Sequence, residues 1–160
     1  MVNYSYSMIH YLQSLTQRLP KGGDSMPTVT LNYWAILVGA ISSMVIGYIW
    51  YSMPVFGRAW MKLIGKTEQE LKAKAGPAMG VMVVLALLTS YVMAHFVDYT
   101  NATTFMSGVA TGLWLWLGFV VTEMISTNIF SGRPFKLSVI TSGFQLVSLA
   151  VMGGILAAWK

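Results

Sequence analysis

Few side chains in this chain are equipped for chemistry, and their positions limit what that chemistry is. Glu123 is the only charged residue set well inside an apolar stretch. A carboxylate in hydrocarbon is costly, so it calls for a proton, a cationic partner or water, and by default it marks a functional site. His95 and Asp98 are spaced i, i+3 and share a helix face. They sit at the far end of the neighbouring stretch, about 20 Å from Glu123 along the membrane normal at 1.5 Å per residue. One metal ion does not bridge that gap, and His95 with Asp98 is too few ligands for a centre of its own. The same separation excludes a Ser–His–carboxylate triad. The chain has no cysteine, which excludes thiolate metal sites, disulfides and thiol nucleophiles. Lys21-Gly22-Gly23 lacks the strand–loop–helix setting that makes a phosphate loop. No metal or cofactor is expected, and the chain reads as a non-enzyme.

The elements that must hold these residues are four apolar stretches, at about 33–51, 77–97, 105–129 and 137–159. Each is long enough to cross a bilayer as a helix. The chain is 56% hydrophobic and 9% charged, where a soluble domain carries about a quarter charged residues. The expected fold class is all-α, an integral membrane four-helix bundle over residues 26–160. Residues 1–25 form an N-terminal extension without the apolar core of a signal peptide. Met26 rivals Met1 as the start, and Met8, Ile9, Tyr11, Leu12, Leu15 and Leu19 suit either a short helix on the membrane or an unstructured lead.

The net charge of +5 points to lipid and not to nucleic acid, because the cations flank the spans. The first connection holds Arg58, Lys62, Lys66, Lys72 and Lys74, the third holds Arg133 and Lys136, and the second holds none. The positive-inside rule places the first and third connections in the cytoplasm and both termini outside, in a membrane the sequence does not name. Within the first connection, Phe56, Trp60, Leu63 and Ile64 share one face of a short amphipathic interfacial helix. Thr67 with Glu70 is a capping box for a second, polar helix that ends near Gly76, and Pro77 suits the first turn of the second span.

With the third span running inward, Glu123 lies about seven residues from its cytoplasmic end, roughly 10 Å deep. Ser43 and Gln145 fall at similar depth, with Thr122, Thr127, Asn128, Thr141 and Ser142 around that level. Trp50, Tyr51, Arg58, Trp60 and Arg133 form the cytoplasmic rim. This polar layer is either a pocket or a hydrogen-bonded brace in which Glu123 pairs with Arg58 or Arg133. Trp114 and Trp116, mid-span, read as bundle filling.

Small residues recur every four positions: Gly39, Ser43 and Gly47; Gly108 and Gly112; Ala150, Gly154 and Ala158. That spacing lets helix backbones approach closely in lipid. It serves a tight bundle or a homodimer face, or lines a substrate path along the grooves. Phe56-Gly57-Arg58 and Ser131-Gly132-Arg133 follow the first and third spans as a short internal echo, the mark of either a parallel repeat or chance.

Asn32-Tyr33-Trp34-Ala35, Gly47-Tyr48-Ile49-Trp50-Tyr51-Ser52, Phe56-Gly57-Arg58 and Trp60-Met61-Lys62 resemble the start of a family of small membrane proteins catalogued as domain of unknown function 1761. Gly132-Arg133-Pro134, Lys136-Leu137, Leu146-Val147-Ser148 and Met152-Gly153 fit the same pattern, over about 26–159. Met53 ahead of Pro54 departs from it. The resemblance implies four spans and no activity or catalytic residue. Two function classes stay open: a non-enzymatic membrane component that binds lipid, a second copy or another membrane protein, and a small proton-coupled transporter using Glu123.

Overall fold

A computed structural model describes residues 8–11, 14 and 29–160, apart from the side chain of Lys74. Residues 8–11 are helical; the remainder of the expected N-terminal helix, including Leu12, Leu15 and Leu19, lies outside the described residues. Helix α1 spans Tyr33–Trp50. Asn32 caps it, its side chain accepting from the Trp34 and Ala35 amides at 3.0 and 3.2 Å, which satisfies donors that have no intrahelical partner. A five-residue π turn, Met53–Gly57, then leads into α2, Arg58–Ile64. Its closing bond runs from the Gly57 N–H to Ser52 O at 2.9 Å. A side chain at Gly57 would overlap the Tyr51 and Ser52 carbonyls. Phe56, Trp60, Leu63 and Ile64 are half-buried while Arg58 and Lys62 are exposed, the amphipathic division read from the sequence. Gly65 ends α2 in the left-handed conformation at φ +66°.

The capping box at Thr67 and Glu70 forms as expected, but the helix it starts does not stop at Gly76. Helix α3 runs unbroken through Pro77 over Glu68–Tyr99. The expected separate polar helix is therefore the first two turns of α3, continuous with the second span, Ala75–Tyr99. Proline removes one intrahelical bond, to Ala73 O, but its fixed φ is itself helical and the helix continues through it. Thr104 and Ser107 form a second capping box at the start of α4, Phe105–Leu115. The third span is not one regular helix. A π segment, Trp116–Val121, separates α4 from α5, Thr122–Ser131. Helix α6, Phe135–Ala158, is the fourth span. Among the described residues there are four helical stretches long and apolar enough to cross a membrane, and no strand.

Helix α6 is central, packed against α1, α3 and α4. The Gly108 and Gly153 backbones lie so close that a methyl group on either would overlap the other's carbonyl. Gly112 meets the Leu149 carbonyl in the same way. The spacing rule thus finds the contact, but the row on α6 is Leu149, Gly153 and Ala157 and not Ala150, Gly154 and Ala158. Gly154 instead receives the Phe105 ring. Gly39 takes Met152 and the Ser90 hydroxyl, and Gly47 takes the edge of Phe144. The buried core of Ala35, Ile36, Met93, Ala94, Val97, Met152 and Leu156 lies in the half of the bundle nearest Asn32 and Trp159, called here the terminal half. The other half carries the basic connections.

Helices α3 and α4 are antiparallel, as their short link requires, yet they scarcely touch. From residue 75 to 89, α3 is exposed on every face except at Ala86. The bundle is closed on three seams and open on the fourth.

Candidate functional site

In the terminal half, polar groups are used to tie helices together. Ser90 Oγ donates to Ile36 O at 2.7 Å, and Asn32 Nδ2 donates to Trp159 O at 3.1 Å. Lys160 pairs with Asp98 at 3.1 Å, and the Thr100 and Thr111 hydroxyls bond at 3.1 Å across α3 and α4. His95 bonds through Nδ1 to Tyr91 O at 2.9 Å and lies edge-on between Tyr91 and Tyr99. Asp98 and His95 therefore serve different partners.

The basic half is where the sequence placed a polar layer, and its members occupy different environments. Glu123 is exposed. Its Oε1 accepts from Thr127 Oγ1 at 2.8 Å, and the ion pairs among the described residues do not include it. The pairing with Arg58 or Arg133 is not formed. Both arginines are exposed. The cause of Glu123's outward placement is the π segment. Along α4 the inward positions are Gly108, Thr111, Gly112 and Leu115. An unbroken α-helix at 3.6 residues per turn continues that stripe to Phe119, Thr122–Glu123 and Ser126. The π segment winds more residues into its turn, so the less exposed positions become Val120, Val121, Met124 and Asn128. Phe119, Glu123 and Ser126 face out instead.

Other members are bound into the bundle. Asn128 Nδ2 donates to the buried Ser138 hydroxyl, joining α5 to α6. Thr122, by contrast, is exposed and bonds only back along its own helical segment, to Gly118 O at 2.6 Å. Trp116 Nε1 donates to Ser142 O at 2.8 Å and Trp50 Nε1 to Ile140 O at 3.0 Å, pinning α6 from two sides. The Trp50 ring lies on Gly143. Trp50 pairs with Phe56 at 4.7 Å between ring centroids, and Tyr51 lies between Trp60 and Phe144 at 5.1 and 5.4 Å. Trp116 fills the bundle as expected. Trp114 does not: it is exposed, on the far side of α4 from α6. Ser43 and Gln145 are half-buried. Gly39 faces Met152 and Gly47 faces Phe144, so Ser43 is level with Ser148, whose buried hydroxyl has no protein partner. The sequence reading missed Ser90, Ser148 and Gly153. The indole bonds were foreseeable, since a buried Trp N–H needs an acceptor.

Below the membrane-spanning segments, the acids of α3 are occupied. Glu70 pairs with Lys66 at 3.5 Å and Glu68 with Lys72 at 2.7 Å. The Thr67 N–H, then the Thr67 hydroxyl and Lys66, hold the Glu70 carboxyl below its ordinary range. Glu68 raises the Lys72 ammonium above its own. No ion pair among the described residues involves Arg58, Lys62, Arg133 or Lys136. Gly57 and Gly132, which anchor the internal echo, differ in conformation, helical in one and left-handed in the other.

The open seam contains two adjoining cavities. One, of about 240 Å³, lies among Leu88, Val92, Met93 and Phe96 of α3, Leu115 of α4 and Leu149 of α6. The other, of about 380 Å³, lies nearer the α3–α4 link and is lined by Thr100, Asn101, Ser107, Thr111, Trp114 and Leu115, among others.

Four apolar helices around a small-residue core define a multi-pass, all-helical integral membrane protein. The chain belongs to the family described as Protein of unknown function (DUF1761), whose profile matches residues 34–157. No curated protein and no solved structure matches the chain.

Proposed function

We propose that this protein is a non-enzymatic membrane component that binds lipid or a partner membrane protein at its open side. The observation that carries the reading is the state of α3. Residues 75–89 hold Met79, Val81, Met82 and Val84 more than half exposed, and only Ala86 in that stretch is shielded. A span gains its stability in lipid from van der Waals packing against neighbours, and this one has half its length unpacked. The groups with catalytic potential are engaged elsewhere: His95 with a backbone carbonyl, Asp98 with Lys160. The basic connections favour a cytoplasmic position for that end and an outside position for the termini.

A photo-crosslinking residue at Val84, in membranes, tests the reading. It should yield a discrete adduct, either with a lipid, with a second copy at twice the mass, or with a defined partner. A diffuse background equal to that from Val45, on the exposed side of α1, would overturn it.

Glu123 supports a second reading, a small proton-coupled transporter. Its carboxylate is exposed and bonded to the Thr127 hydroxyl and not to a cation. Glu123→Gln should then abolish proton-driven flux of lipophilic cations in proteoliposomes while leaving thermal stability unchanged. Wild-type protein that moves no cation across a broad panel would remove this reading.

A further inference from the structure

We infer that the seam between α3 and α4 is a slot for one acyl chain of a bilayer phospholipid. This rests on the reading of the protein as a lipid- or partner-binding component and names the ligand. The two cavities share Leu115 and follow one another along the helices, one beside Leu88–Phe96 of α3 and the other beside Thr100 and the Ser107–Leu115 stretch of α4, so together they line the seam. Its polarity is graded. At the α3–α4 link it presents Thr100, Asn101, Ser107 and Thr111. Deeper, it presents side chains of Leu, Val, Met and Phe with one hydroxyl, Thr89, which is already bonded to Leu85 O at 2.8 Å. That order, polar at one end and apolar along the rest, matches an amphiphile lying parallel to the helices.

The lining carries no charged side chain, so the slot suits the ester and acyl portion of a lipid and leaves the phosphate outside. At the mouth, the Thr100, Ser107 and Thr111 hydroxyls are bonded within the protein. Asn101, exposed and held at φ 51°, offers a side-chain amide at the level of a glycerol ester carbonyl. The slot has three walls, because Leu149 of α6 and Met93 of α3 close its floor. A helix with side chains is about 10–12 Å across. The 3.1 Å bond between Thr100 and Thr111 holds α3 and α4 too close at the mouth for a helix to enter, whereas a polymethylene chain is far thinner. An unfilled apolar groove forfeits dispersion contacts along its whole lining, and acyl chains are the surrounding medium.

The test is to reconstitute the full chain in phosphatidylcholine liposomes containing a trace of phosphatidylcholine with a diazirine at mid-chain, photolyse, and map adducts by peptide. Adducts in residues 88–96 and 110–115 should exceed those at Val45 and Ile129, which are open to lipid without walls, by several-fold. Ala110→Phe, placed at an exposed lining position, should cut the seam adducts several-fold and leave those at Val45 unchanged. Asn101→Ala should lower them to a smaller degree. Even labelling of the wild type overturns the slot whether or not the variants fold. Even labelling with a discrete protein adduct at Val84 removes the slot and keeps the wider reading; even labelling with no discrete adduct at Val84 removes both.

Discussion

The terminal and basic halves of the bundle are built from the same four spans but by different rules. In the terminal half, glycines bring α4 against α6, and Ser90, Asn32, Asp98 and Lys160 join the remaining elements. In the basic half, α3 stands alone, and a π segment turns Glu123 away from its neighbours. The contrast teaches where this protein spends its packing. Spans in lipid associate where small residues allow close approach. Gly76 and Gly80 of α3 face open space and make no such contact, so a glycine alone does not close a seam. Closure also needs a facing helix to fill the space, as the Gly153 and Leu149 backbones do for Gly108 and Gly112.

Breaking the closed half should produce the largest effect. Gly108→Val drives side-chain atoms into the Gly153 backbone, which has no rotamer by which to yield. We expect a loss of about 3 kcal/mol, the upper range for overpacking, read as detergent-resistant folding in a thermal or denaturant titration. Gly80→Ala in the open half meets nothing and should gain up to about 1 kcal/mol from the removal of a mid-helix glycine. Equal losses at the two sites would erase the distinction between the halves. Ser90→Ala sharpens it at smaller scale. Deleting its bond to Ile36 O should cost about 0.6 kcal/mol, the average for interhelical hydrogen bonds in membranes, in the same titration.

The smallest effect concerns the start of α3, outside the membrane. The Glu70 carboxyl is held below its ordinary value of 4.5 by the Thr67 N–H, then the Thr67 hydroxyl and Lys66. A depressed folded value means that the contribution is fully present above 4.5 and is lost as pH falls through the folded value. The protection of the Glu70 and Leu71 amides, taken as exchange relative to the intrinsic rate at each pH, should therefore fall in acid, and Thr67→Ala should lower it throughout. Exchange at Met93 and Val97, in the closed half, should not follow this pH dependence.

Much of this architecture was legible from residue types. Thr67 with Glu70 announces a helix start because the Thr67 side chain accepts from an unpaired amide. The half-buried face of α2 follows from Phe56, Trp60, Leu63 and Ile64. Pro77 misled, because a helix break is its usual meaning, whereas its fixed φ is itself helical and α3 continues through it. Glu123 misled for a different reason. Its depth was readable from residue count, but its direction depends on every turn above it, and one π segment with no sequence marker redirects all that follows.

By itself, the sequence determined the number of spans, their membrane character and the small-residue rows, since these depend on hydropathy, length and side-chain size. Tertiary structure alone decided which rows meet, that α3 and α4 leave a seam between them, and that Glu123 faces outward with Thr127. Those outcomes depend on helix phase and on which backbones approach, and the free energy differences behind them belong to pairs of helices and not to any one stretch of residues.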